Sequence, residues 1–436
     1  MAAENRNEDC LIGLDLGTST IKGVIIDAAG NDIAKAERRT TLLHPEEGWV
    51  EFDPERHYRD VCDVIRQLTS ASRHPVAALA MAAASGNTLL TDSEGVPLTP
   101  AISWMDQRAV RCLPEKLKRL TQDEVRRTVG WPRVNRFPLA HLAWLSEEQR
   151  DVFRAAGHYG MNSDWLLFRL TGIWRMDYST ATTFHLQDQV AGCYHQPFLD
   201  LLGIAEAKLS PLTDSGAFVG TLTHRAAERT GLCTGTSVVT GSFDHPAAAR
   251  AVGVTAPGQL MLSCGTSWVG FFPEMDRRRI IESELLCDPF LSRQGGPWGA
   301  IFSVPYIGRT IDWYIDNVIA PDEPDRLRAF DESAARASPG AGGLRIDLRQ
   351  PPRRTEGQRC NISRAVMEGA ARLLNGRLET LRQCGMRFDS AVMVGGPARS
   401  PVWPKIVEAI TGLRISVGSS HAGAKGAAML AKAFTQ

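Results

Sequence analysis

The chain reads as an α/β protein built of two domains. Its 436 residues are too many for a single core, so two large domains are the natural division. Strand-like and helix-like stretches alternate in both halves, which gives the α/β class. Two stretches in distant halves also share one pattern: Leu11–Asp27, LIGLDLGTSTIKGVIID, and Gln259–Phe272, QLMLSCGTSWVGFF. In each, an apolar run meets a Gly-Thr-Ser turn and a second apolar run follows, the signature of a β-hairpin. This pair is the internal repeat of the chain.

The elements follow in order. After the first hairpin, a turn at Ala28–Asn31 leads into a strand-like run ending near Arg39. Asp53-Pro54-Glu55 is a helix start, with Pro at the first helical position, and that helix should run to Thr69. Val76–Ala84 and Thr88–Thr91 read as strands, and Ala101–Met105 as a short one. From Asp106 to Gly172 the pattern is mainly helical, closing with NSDWLLFRLTG at Asn162–Gly172. Val238–Gly241 is a strand end, followed by Ser242-Phe243-Asp244-His245-Pro246 and an Ala-rich helix to Val252. We place the domain boundary there, giving domains 8–252 and 253–436. The second hairpin opens the second domain. Helices are expected at Leu327–Ala337, Ile362–Cys384, Val402–Thr411 and Ala422–Phe434, with strands at Ala391–Val394 and Leu413–Val417. Arg349–Arg359, RQPPRRTEGQR, reads as a solvated basic loop.

Composition excludes several classes. The formal net charge is +0, which argues against a nucleic-acid grip. The start, MAAENRNEDC, is polar and acidic, unlike a secretory signal. No run reaches the ~18 apolar residues of a membrane helix. The nine cysteines lie far apart with no C-x-x-C pair, so neither a disulfide framework nor a zinc knuckle is expected. A reduced, cytoplasmic protein fits. Cys264 reads as a small buried filler rather than a reactive thiol.

The hairpin turns carry the first chemistry. Gly lets the backbone approach a ligand closely, and successive N–H groups make a nest for an anion. Two such turns in related domains suit one polyphosphate clamped between halves. Asp15, just before the first turn, can hold a phosphate-bound Mg²⁺, and Lys22, just after it, can neutralise phosphate charge. The other phosphate-binding solutions are absent, since there is no G-x-x-x-x-G-K-[ST] and no G-x-G-x-x-G ahead of a helix. Asp244 follows a strand and opens a helix. Locally it reads as a cap, and the positive helix end is expected to keep its carboxylate ionised.

On these residues the chain resembles the FGGY-type carbohydrate kinases of the actin/Hsp70/sugar-kinase superfamily, closest to xylulokinase-like members. The resemblance covers nearly the whole length. It implies two ribonuclease-H-like (actin-type) α/β domains around a central cleft, with ATP and Mg²⁺ as cofactors and a small sugar or polyol as substrate. It makes Asp244, in Gly241-Ser242-Phe243-Asp244, the catalytic base. His245 becomes a sugar contact, and Asp15 and Asp244 the metal side. Gly17, Thr18, Ser19 and Lys22, and Gly265, Thr266 and Ser267 after Ser263, become the two phosphate cradles. Gly395 and Gly396, with Ser400, resemble the adenosine loop. Trp104-Met105-Asp106-Gln107-Arg108 resembles the family's W-x-D-x-R segment, placing Trp104 and Asp106 on the sugar side with Ala84 and Ser85.

The departures from the pattern bear on substrate. Ala84 and Ser85 stand where xylulokinases carry Met and His, Pro397 replaces a third loop Gly, and the segment 343–361 is short. The leading reading is an ATP-dependent ketopentose kinase. A kinase for a hexulose, polyol or other polyhydroxy compound is the second. A nucleotide-gated, chaperone-like ATPase or a decayed sugar sensor on the same fold belongs to another class. No nucleic-acid or membrane partner is expected, and a homodimer is the candidate assembly.

Overall fold

The computed structural model describes residues 9–72, 74–84, 86–132, 134–265, 267–304 and 307–436. The chain divides into two compact units. The first takes the chain up to Ala251 together with Leu286–Gln294 and His421–Gln436, and the second takes Val252–Leu285 and Gly295–Ser420. A continuous division at 252/253 would put the last helix in the second domain, whereas its packing partners lie in the first unit.

In the first unit, Cys10–Leu16 and Thr20–Ile26 form the expected antiparallel hairpin, extended by Asp32–Arg39. Cys10–Leu16 pairs in parallel with Val76–Ala83, which in turn pairs with Ser237–Val239 and with Ser242–Phe243. Side chains alternate across a strand, and both faces of this sheet are covered. Ile12, Leu14 and Leu16 belong to the core that includes Val61, Val64, Ile65 and Leu68 of the helix Pro54–Ser70. Leu11, Ala78, Ala80 and Ala82 face instead Ala424, Ala427, Ala428 and Ala431 of the terminal helix Ala422–Thr435. Small residues let that helix lie unusually close. A Cβ on Gly13 would stand 1.9 Å from the Ala424 carbonyl oxygen, and one on Gly426 would stand 1.8 Å from that of Ala247. A separate apolar core joins the helical region between about Leu90 and Leu209.

The second unit repeats the arrangement. Gly258–Cys264 and Trp268–Glu274 form the second hairpin, extended antiparallel by Trp298–Val304. On its other side Gly258–Cys264 pairs in parallel with Phe388–Gly395, and that strand with Arg414–Val417. Each unit thus has a hairpin, a third antiparallel strand outside it, and parallel strands beyond its first strand. The helix Arg359–Gln383 packs against Arg326–Ala335 and Trp403–Thr411. No helix among the described residues is long and apolar enough to cross a membrane. All nine cysteines are free thiols, and Cys264 is buried, with its thiol pKa pushed up by that burial.

Candidate active site

The first unit brings two carboxylates together. Asp15 is the penultimate residue of its strand and stands in register with Lys22 across the hairpin. It shares a face with Leu11 and Gly13, toward the terminal helix. A Cβ on Gly423 would lie 2.5 Å from Asp15 Oδ2, so glycine there leaves room for the carboxylate. Asp244 begins the helix Asp244–Ala251 directly after Ser242–Phe243. The terminal helix packs against both the strand of Asp15 and the helix that Asp244 begins, at Asp15 and Ala247.

Burial raises both. Asp15 is pushed up to about 7, first by burial and then by the negative charge of Asp244, with Lys22 and His245 pulling the other way. Asp244 is also pushed up to about 7 by burial, against a hydrogen bond from the His245 backbone N–H. This corrects the expectation of a carboxylate kept ionised by the helix end, because desolvation outweighs the dipole of a short helix. Nor is the Asp244 side chain spent on capping: its Oδ1 is buried with no hydrogen-bond partner. His245 Nδ1 lies 3.8 Å from Asp244 Oδ1, beyond hydrogen-bond reach. Burial lowers the imidazole to about 4, so His245 is neutral at ordinary pH and acts only as a hydrogen-bonding group.

The turn between the strands is shaped for close approach. A Cβ on Gly17 would stand 2.6 Å from the Thr20 carbonyl oxygen. Thr40 braces the turn, its hydroxyl donating to the Gly17 carbonyl at 3.1 Å and its N–H to that of Ser19 at 3.0 Å. Ser19 is exposed. Thr18 Oγ1 accepts from Trp104 Nε1 at 2.8 Å, which ties the sugar-side segment to the phosphate turn. Trp104, Thr18, Gly17 and Ala84 line one cavity of about 30 Å³, together with His57 and Asn162. Ser85 lies outside the described residues.

Asp106 has a different place from the one expected. Its side chain is 0% exposed, and both oxygens are committed to the Val50 N–H and to the Arg108 backbone and guanidinium. Arg108 also pairs with Glu51 at 2.6 Å and stacks its guanidinium on Trp49. This segment is a buried brace, and the Asp106 carboxylate is spent within it on Val50 and Arg108.

In the second unit two expected loops come together. Gly265 follows Cys264 into the second turn, its N–H donating to the Ser267 carbonyl at 3.2 Å. Thr266 lies outside the described residues. Cys264 stands in register with Gly395 on the neighbouring parallel strand. Gly395 has φ +96°, and a Cβ there would lie 2.4 Å from the Cys264 carbonyl oxygen. Only glycine combines that dihedral with that contact. Gly396 is open, with nothing near a Cβ position. Ser400 is buried and ties the loop to the start of the helix Trp403–Thr411, its hydroxyl oxygen accepting from the Val402 and Trp403 N–H groups at 3.1 and 3.2 Å. It is a structural residue of the loop.

These two sets of loops correspond to known proteins. Residues 10–251 match the N-terminal domain of the FGGY family of carbohydrate kinases, and residues 260–433 match its C-terminal domain. The chain belongs to the FGGY carbohydrate kinases. It is 28% identical to the autoinducer-2 kinase of Escherichia coli (strain K12) over 93% of this chain and 82% of that one. Its fold is similar to the xylulose kinase of Rhodospirillum rubrum, with TM-score 0.84 and 23% identity over 98% of this chain and 91% of that one. The gluconate kinase of Lactobacillus acidophilus is equally near, with TM-score 0.85 and 21% identity over 98% and 89%. This FGGY kinase is therefore a phosphotransferase acting on a sugar hydroxyl, on the two-domain α/β fold expected. The single signals that sequence reasoning missed are Gly13, Gly423 and Gly426. The i to i+3 spacing of Gly423 and Gly426 in the last helix is visible, but the partners of all three glycines are far away in sequence.

Proposed function

We propose that this kinase transfers the γ-phosphoryl group of ATP to a hydroxyl of a small polyhydroxy compound, with Asp244 as the base. The observation that carries the reading is the buried, unpartnered Oδ1 of Asp244 beside a second raised carboxylate, Asp15. A buried acceptor without a donor costs stability unless a ligand supplies one, and a substrate hydroxyl is such a donor. Asp244 takes the hydroxyl proton as the oxygen bonds to the γ-phosphorus, and the bond from that phosphorus to the β,γ-bridging oxygen breaks, releasing ADP.

Among the described residues no three His, Cys, Asp or Glu side chains gather as a metal set. Two neighbouring carboxylates raised by burial still fit a cation that takes most of its ligands from phosphates and water. Asp15 and Asp244 would hold Mg²⁺, which would neutralise polyphosphate charge. Lys22 and the N–H groups of Gly17–Ser19 supply further positive character on the first unit. The loop pair at Gly265–Ser267 and Gly395–Gly396 supports the nucleotide side in the second, with Pro397 removing one donor.

For the substrate, the relatives' names bring autoinducer-2, xylulose and gluconate. Ala84 leaves a small recess beside Trp104, and neutral His245 offers a hydrogen bond. A wall with few fixed donors discriminates weakly between similar polyhydroxy compounds. The free cysteines support a reducing compartment such as the cytoplasm. The test is ADP release with Mg-ATP against autoinducer-2, D-xylulose, gluconate, ketohexoses and polyols. Turnover of at least one by wild type, lost about 100-fold in Asp244→Ala, supports the reading. Normal turnover in Asp244→Ala ends it, as does ATP hydrolysis that no polyhydroxy compound stimulates.

A further inference from the structure

The segment Leu286–Gln294 belongs to the first unit although the chain before and after it belongs to the second. Its contacts converge on the residues flanking Asp244. Cys287 is gripped at the backbone: its N–H donates to the Gly130 carbonyl at 3.0 Å, and its carbonyl accepts from Trp131 Nε1 at 3.1 Å and Gln189 Nε2 at 2.8 Å. Asp288 is wholly buried. Its Oδ1 accepts from the Phe290 N–H at 2.8 Å, and its Oδ2 accepts from the Ser179 hydroxyl at 2.7 Å. Ser179 Oγ in turn accepts from the backbone N–H of Phe243 at 3.1 Å. Phe243 immediately precedes Asp244, and its ring packs edge-on against Trp131 at 5.5 Å.

The same segment holds the other end of the Asp244 helix. Arg250 Nη2 donates to the Phe290 carbonyl at 3.0 Å, and its guanidinium carbon stands 4.6 Å from the Phe290 ring centre. Phe290 has φ +42°, a region that a non-glycine residue enters only where surrounding contacts hold it.

We infer that Asp288 is a positioning residue for the catalytic carboxylate, acting through Ser179 on the Phe243 amide. The inference rests on the proposed role of Asp244. Ser179 can donate only one hydrogen. That hydrogen is spent on Asp288 Oδ2, and the lone pairs of the Ser179 oxygen are left for the Phe243 N–H. The polarity of the chain thus runs one way, and the strand-to-helix corner that aims Asp244 is fixed by side chains distant in sequence. Placement errors of about 1 Å cost about 100-fold in rate, so a corner pinned in this manner has a kinetic consequence.

The test compares wild type with Asp288→Asn, Ser179→Ala, Ser179→Thr and, as control, Asp244→Ala. The first measurement is amide hydrogen–deuterium exchange of the ligand-free protein over residues 241–247. We expect exchange at least about fivefold faster in Asp288→Asn and Ser179→Ala, with the rest of the sheet unchanged. Ser179→Thr, which keeps the hydroxyl, should restore the wild-type rate. The second is kcat and KM, per active site, with ATP and whichever of autoinducer-2 or D-xylulose the wild type turns over. Here kcat should fall about tenfold and KM for ATP should stay within about twofold. Unchanged exchange at 241–247, or a lowered Tm with unchanged kcat per active site, overturns the inference. Should wild type turn over neither compound, or Asp244→Ala keep full activity, the functional reading fails instead, and the exchange data still decide whether Asp288 holds the corner.

Discussion

Asp244→Asn should make the ligand-free protein more stable while removing its activity. The carboxyl is raised from 3.8 to about 7 by burial, so the folded state holds this proton more tightly than the unfolded chain does. Stability tied to the group is therefore lost as pH rises from about 4 through about 7, where folding requires either an uptake of a proton or a buried charge. The distance from 3.8 to about 7, at about 1.4 kcal/mol per pH unit, gives a full penalty of about 4 kcal/mol at pH 8. The side chain retains 28% of its surface, and water and relaxation damp the penalty to about 2 kcal/mol at pH 8 and about 1 kcal/mol at pH 5. Asn carries none of it. Thermal unfolding in Mg²⁺-free buffer with chelator should show Asp244→Asn above wild type at both pH values, by about 1 kcal/mol more at pH 8, or about 2 °C in Tm. A variant less stable than wild type at pH 8, or a gain that does not grow with pH, would refute the assignment of burial as the dominant cause.

Four further outcomes follow from the same geometry. The pH profile of kcat/KM should have an acid limb with an apparent pKa near 7, from the Asp15–Asp244 pair in the free enzyme; a limb below about pH 5 would show that the base ionises as an exposed Asp does. Gly423→Ala places a Cβ 2.5 Å from Asp15 Oδ2 and should lower kcat about tenfold or more through displacement of that carboxylate, with a circular dichroism spectrum like wild type. Gly13→Ala instead meets backbone at 1.9 Å and should cost about 3 kcal/mol of stability, read as a drop in Tm without need of substrate. Asp106→Ala leaves the buried Arg108 with Glu51 as its carboxylate partner and should cost about 3 kcal/mol, measured by urea unfolding; an unaffected midpoint combined with a raised KM for the sugar would restore Asp106 to the substrate side.

Much of the fold is legible in the residues, because its signals are local. The hairpins announce themselves by alternating apolar runs around Gly-Thr-Ser, and Pro54 and Pro246 sit near helix starts that the structure confirms. The catalytic candidates Asp15 and Asp244 each lie in a short readable pattern, and Gly395 is singled out by its resemblance to the family's adenosine loop. What those residues experience is not local. Asp244 reads as an ionised cap from its neighbours in sequence, yet the walls that desolvate it, together with the nearby Asp15, belong to the folded unit and come from elsewhere in the chain. Asp106 is placed on the sugar side by its W-x-D-x-R segment, yet in the fold Val50 and Arg108 take both its oxygens, and Glu51 and Trp49 close over Arg108.

By itself, then, the order of residues determined the α/β class and the hairpins, since periodicity, turn chemistry and glycine freedom act within a few residues, while Asp244 is singled out as the candidate base only through the family resemblance. Only the tertiary structure decided that the last helix belongs to the first unit, that it is glycine-thin where it passes Asp15 and Ala247, and that Asp288 reaches the Asp244 corner through Ser179. The physical reason is that desolvation and hydrogen-bond partnership are properties of surroundings, and the surroundings of these acids are assembled from segments that no window along the chain contains together.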